Sequence, residues 1–150
     1  MENEVRLDEI SAFGDKLVFL VPHEWVEGDE GDDLCFFHAP SDSSGGLRVS
    51  LITVTGVRDS ADKFKRAFKD AKALQIDEDT GNWVDRWEKD SVEDGAPIHL
   101  YYWKVANALP PDIFREAIFS YTVLASQVGL PETERTVKLL GIIAPKAAFH

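Results

Sequence analysis

Residues 98–125, IHLYYWKVANALPPDIFREAIFSYTVLA, decide the fold. β-Branched and aromatic residues fill both arms of the stretch. Proline occurs only in its middle, within Asn107-Ala108-Leu109-Pro110-Pro111. A missing N–H costs no ladder bond at a turn, whereas it would in the centre of a strand. The stretch therefore reads as a long β-hairpin with strands over 98–106 and 113–125. The rival reading is a buried helix over 113–125, because an apolar run does not separate the two by periodicity alone. A hairpin of this length is not stable by itself, so it predicts an antiparallel sheet built around it.

Trp83 to Lys89 supplies a further strand, and Val92 to Pro97 a turn leading into the hairpin. Earlier in the chain, Leu47, Val49 and Leu51 alternate with Arg48, Ser50 and Ile52, which predicts a strand over 47–54 with one well-buried face. Lys16–Val21 (KLVFLV) is another strand, closed by Pro22. The acidic stretch Glu27–Asp33 (EGDEGDD) reads as a hairpin loop into a strand over 34–38. Ala39–Gly46 is a loop by composition. Residues 1–9 are polar and read as loosely held, with Ile10 and Phe13 able to begin a strand.

Two helices are expected. Asp59 or Ser60 caps the first, and Phe64, Ala67, Phe68, Ala71 and Leu74 form an apolar stripe over 60–74. Pro131 followed by Glu132 and Glu134 starts the second, which runs over 131–143 and ends before Pro145, leaving a short tail with Phe149. Hairpin-linked strands with two separate helices indicate a single α+β domain over 1–150, an antiparallel sheet of about six strands flanked by two main helices, and not a βαβ nucleotide fold. The expected core places Phe64, Phe68 and Leu74 on the sheet face carrying Leu47, Val49 and Leu51.

The formal net charge of −11 opposes nucleic acid and anionic membrane as partners and favours a basic protein partner. The only basic concentration is Lys63, Lys65, Arg66, Lys69 and Lys72, either a solvated helix face or a docking face for an acidic partner. No run approaches the roughly 20 apolar residues of a membrane helix. The acidic start MENEVRLDEI lacks a secretory signal, so the expectation is a cytoplasmic protein.

Catalytic signatures are missing: GxxxxGK[ST], GxGxxG and GxSxG do not occur. Cys35 lies in LCFF and reads as a small buried hydrophobe, and Ser41, Ser43 and Ser44 as loop residues. His23, His38, His99 and His150 share no metal-ligand spacing. Glu27, Asp29, Glu30, Asp32 and Asp33 offer oxygen ligands, but without the EF-hand pattern they read as a solvated hairpin tip. No metal and no cofactor is expected.

The aromatic residues are more informative. Trp83, Trp87 and Trp103 and all three tyrosines, Tyr101, Tyr102 and Tyr121, fall between residues 83 and 121. Two helices would cover one face of the sheet, leaving an aromatic surface on the other. Trp83, Trp87, Tyr101 and Trp103 are the candidate partner-binding residues, for another polypeptide or a second copy of the chain. The alternative is an enzyme or small-ligand binder with a pocket beside Trp83, Trp87 and Trp103 and His99 as acid–base.

Phe19-x-Val21-Pro22-x-x-Trp25, the Phe36-Phe37 strand and Leu47-Arg48-Val49-Ser50 resemble the opening of PsbP-like domains. The helix, the late hairpin with Arg115, Phe119 and Tyr121, and the closing helix follow the same order. The resemblance implies an antiparallel sheet with helices on both sides, and binding rather than catalysis. The family includes extrinsic photosystem subunits, a Ran-binding import factor and bacterial chaperones for secreted effectors. By analogy the effector-chaperone branch fits best, implying a non-enzymatic chaperone or adaptor for another bacterial protein.

Overall fold

A computed structural model describes residues 5–28, 31, 33–40 and 45–150. The order is β1 (Leu7–Ala12), β2 (Leu17–Pro22), β3 (Val26–Gly28), β4 (Cys35–His38), β5 (Gly46–Val54), α1 (Ser60–Ala67), β6 (Gln75–Ile76), β7 (Trp83–Glu93), β8 (Ala96–Leu109), β9 (Ile113–Leu124), α2 (Pro131–Ile143) and β10 (Ala148–Phe149). The fold is α+β with two antiparallel sheets. Seven strands follow the order β3-β4-β5-β9-β8-β7-β6, and three follow β1-β2-β10. Residues 113–124 are strand, so the helical rival is excluded.

The β8–β9 hairpin occupies the centre of the large sheet, flanked by β5 and β7. Its register sets both faces. Leu47, Tyr121 and Tyr101 align across β5, β9 and β8, as do Val49, Phe119 and Trp103, then Leu51, Ala117 and Val105. These rows form the inner face. It is buried against Val137, Leu140 and Ile143 of α2 and against Leu17, Phe19 and Val21 of β2. Phe19 packs edge-on to both Phe37 and Phe119.

The first helix lies on the opposite, outer face, which corrects the expected core. Phe64 and Phe68 pack with Ala106, Phe114 and Trp83, not with Leu47, Val49 and Leu51. The reason is that α2 and the small sheet already occupy the inner face. Asp59 caps α1 by accepting the Asp62 N–H at 3.1 Å, as its sequence suggests. The helix then stops at Ala67, well short of residue 74. The N–H groups of Lys72 and Ala73, which a longer helix would aim at carbonyls one turn back, donate to Oδ1 of buried Asp85 at 3.0 and 2.7 Å. Leu74 is consequently exposed.

Residues 7–9, expected to be loosely held, belong to the six-residue β1, and three short strands escaped the sequence reading: β3, β6 and β10 have three, two and two residues, and β10 pairs with the distant β2. The hairpin between β7 and β8 is also tighter than expected. Asp94 and Gly95 both take positive φ, 51° and 79°, the geometry of a two-residue Asp-Gly turn, so the strands continue to Glu93 and resume at Ala96. Residues 145–150 are tied down by polar side chains. Buried Asn82 donates to the carbonyls of Pro145 and Ala147 at 2.9 and 2.7 Å and accepts from Asn107 at 2.9 Å. Buried Arg115 donates to the His150 carbonyl and to Thr53 Oγ1, each at 2.7 Å.

Candidate functional site

The outer face is the part of the sheet left incompletely covered. Register places Val54, Phe114 and Ala108 in one row and Ile52, Glu116, Ala106 and Trp83 in the next. Packing by Phe64 and Phe68 is confined to this end. Beyond it lie Ser50, Ile118, Lys104 and Asp85, and then Arg48, Ser120, Tyr102 and Trp87. Most of these side chains are half-buried, and among the described residues α1 is the only α-helix packed on this face.

The centre of the open part is aromatic. Trp87 and Tyr102 stack with centroids 5.0 Å apart and planes 10° from parallel. Beside them, against α1, a cavity of about 250 Å³ is lined by Phe68, Ala71, Lys72, Asp85, Trp87 and Lys104. Lys104 pairs with Glu116 at 2.8 Å and also donates to the Ala67 carbonyl, which fixes the helix end to the sheet. At the far end Phe36, Arg48, Glu93, Asp94, Ile98 and Thr122 line a second concavity of about 380 Å³. The Arg48 guanidinium lies 4.7 Å from the Phe36 ring centroid.

The four candidate binding residues do not share a surface. Trp87 belongs to the open face. Trp83 is on the same face but lies under α1, stacked on Phe64 at 4.9 Å. Tyr101 and Trp103 point to the inner face and are 5% and 1% exposed. They are core residues, and the expectation of an exposed surface around them is corrected. The cause is strand parity: Trp87 pairs with Tyr102, and Trp83 with Ala106, so neither tryptophan is on the side of Trp103. Tyr102 is the binding-face residue that the reading overlooked. The proposed pocket beside Trp83, Trp87 and Trp103 fails for the same reason.

His99 is held as a charged group. Its Nδ1 is 2.6 Å from Asp90 Oδ1 and its Nε2 is 2.7 Å from Glu88 Oε1. Two carboxylate acceptors require both ring nitrogens to carry protons. Burial pulls the pKa down, but hydrogen bonds and charge from Asp90 and Glu88 outweigh it and hold the ring above its ordinary value of 6.5. A raised folded-state pKa stabilises the fold fully below 6.5, and that contribution is lost as pH rises through the folded value. The His99 ring signals are expected to titrate with a midpoint above 6.5, and unfolding of the parent should lose stability relative to His99→Gln over the same interval. A midpoint at or below 6.5 would contradict the clamp.

Other candidate groups remain apart. Among the described residues no three His, Cys, Asp or Glu side chains converge as a metal site. Cys35 is half-buried, and burial, aided by Glu27, pushes its thiol pKa up. Asp29, Glu30 and Asp32 of the acidic loop, and Ser41, Ser43 and Ser44, lie outside the described residues. No helix among the described residues is long and apolar enough to cross a membrane.

No protein-family model matches this sequence, and no curated protein matches it. Solved structures do share its fold. A 1.50 Å crystal structure from Bacteroides thetaiotaomicron VPI-5482 is similar with a TM-score of 0.62 and 15% identity, covering 95% of this chain and 48% of that one. This chain thus spans about half the length of that protein. LpqN of Mycobacterium tuberculosis, described as involved in cell envelope biogenesis, is similar with a TM-score of 0.56 and 13% identity, covering 97% of this chain and 91% of LpqN. At these identities the likeness establishes the fold alone.

Proposed function

We propose that this chain is a non-enzymatic protein-binding module, an adaptor or chaperone for another bacterial protein, which receives its partner on the open outer face. The observation that carries this reading is the Trp87–Tyr102 stack on a sheet face whose helix covers only one end. Stacked aromatic rings offer large contact area at low entropic cost. The PsbP-like layout of the sequence supports binding over catalysis, and the cell-envelope role described for LpqN is compatible with it.

Site-specific photo-crosslinking tests the reading. A benzophenone side chain at Ile118, on the open face, is expected to give discrete adducts in lysate of the native host. The same group at exposed Lys138 of α2 should not. Trp87→Ala should abolish the Ile118 adducts while the protein stays folded, because Trp87 is only half-buried. Equal adducts at both positions, or adducts indifferent to Trp87, would reject the open face as the binding surface.

A further inference from the structure

Charge on this molecule is segregated. Residues 58–72 contain six of its 16 basic residues, Arg58, Lys63, Lys65, Arg66, Lys69 and Lys72, and three of its 27 acidic ones, Asp59, Asp62 and Asp70. That segment is therefore +3, and the remainder of the −11 chain is −14. The structure places the positive segment at α1 and the turn after it, beside the open face. Phe68, Ala71 and Lys72 of this segment line the same cavity as Trp87.

The individual cations differ in their commitments. Arg66 is paired with Asp62 at 2.9 Å, and Lys63 lies over the Phe114 ring at 5.6 Å. Lys65, Lys69 and Lys72 are exposed, and none has an ion-pair partner among the described residues. Lys104, at the floor of the cavity, already has Glu116. Of the available cations Lys72 lines the cavity, together with Asp70, while Lys65 and Lys69 lie on α1 and the turn after it, and Phe68 and Trp87 give the cavity an aromatic wall. At about 0.15 M salt the screening length is about 8 Å. A partner lying against α1 responds to this local ridge more than to the total charge of the molecule.

We infer that the partner segment is acidic with an aromatic or aliphatic anchor, the anchor seated against Trp87 and Phe68 and the carboxylates on Lys65, Lys69 and Lys72. This deepens the protein-binding reading and rests on it. Opposite charge at these lysines would fix orientation and speed encounter, and the apolar contact would supply residence time.

The probe is a labelled 12-residue peptide with one phenylalanine and one leucine among glutamates. It is compared with the same peptide carrying glutamine for glutamate and with an oligothymidylate of equal length, by fluorescence anisotropy and amide chemical shifts. The acidic peptide is expected to move the Trp87 indole N–H signal. It should bind about tenfold more tightly than the glutamine version and lose a similar factor in a K65E/K69E/K72E variant whose circular dichroism matches the parent. Equal binding of the glutamine peptide, or no effect of the charge reversal, would overturn the acidic partner. So would equally tight binding of the oligothymidylate, which would show a bare polyanion site. A parent dimer in sedimentation equilibrium that the reversal dissolves would make the occupant a second copy and overturn it too. Ile118 crosslinks that persist in the charge-reversal variant would remove this inference while leaving the open-face reading standing. Loss of those crosslinks from the parent protein would remove both.

Discussion

Trp103→Ala is expected to cost about 3–5 kcal/mol of folding stability, a large fraction of what a domain of this size possesses. Trp103 is 1% exposed, sits between Phe119 and the face of β7, and carries the Arg86 guanidinium 5.7 Å from its ring. Among the described residues its Nε1 has no hydrogen-bond partner, so truncation also removes an unpaired donor and recovers a little of the loss. The cavity term dominates because the ring is far larger than one polar atom. Trp103→Phe, which deletes the donor but keeps most of the apolar volume, should cost clearly less. Urea unfolding would show the difference as a fall in midpoint at constant slope. A loss below about 1 kcal/mol for the alanine variant would mean that the inner face is not the core.

Gly45→Ala is the second large effect. A Cβ at this position would lie 2.2 Å from the Thr122 carbonyl oxygen, 2.8 Å from Val123 Cγ1 and 3.0 Å from Tyr121 Cζ. The nearest atom is backbone in a central strand, so the accommodation must come from β5 or β9 moving. The expected cost is about 3 kcal/mol, at the upper end for overpacking. Gly46→Ala is the informative comparison. Its Cβ would meet the Phe36 ring at 2.5 Å, and that half-buried side chain can rotate away. Thermal unfolding should rank Gly45→Ala as much the worse of the two; a reversed ranking would place the tight strand approach elsewhere.

The fold class was legible because its strongest signals are local. Pro131 and the acids behind it mark α2 over Pro131–Ile143, and the β-branched arms of the central hairpin give β8 and β9. What escaped is non-local. Termination of α1 depends on Asp85, a carboxylate that reaches Lys72 and Ala73 from another strand. The side on which α1 packs depends on which elements fill the opposite face. Alternation along β8 correctly separates Tyr102 from Tyr101 and Trp103, but only the pairing of Tyr102 with Trp87 shows which side stays open. An aromatic cluster in sequence is thus divided by parity into core and surface. The β10 pairing, two residues long, has no propensity signal of its own.

That pairing bears on the order in which the molecule can assemble. Ala148 and Phe149 align with Val18 and Leu17, and the His150 N–H donates to the Lys16 carbonyl at 2.9 Å. During vectorial synthesis β1 and β2 emerge early, yet the strand that completes their sheet emerges only after β9 and α2. The apolar residues Leu17, Phe19 and Val21 must wait until the elements from β3 to α2 have been made before their last neighbours arrive, a non-local closure of the slow kind. Nascent chains halted before residue 148 should therefore hold these strands in a protease-accessible state, and the amino-terminal hairpin would be the part of the molecule most dependent on protection while it is being made.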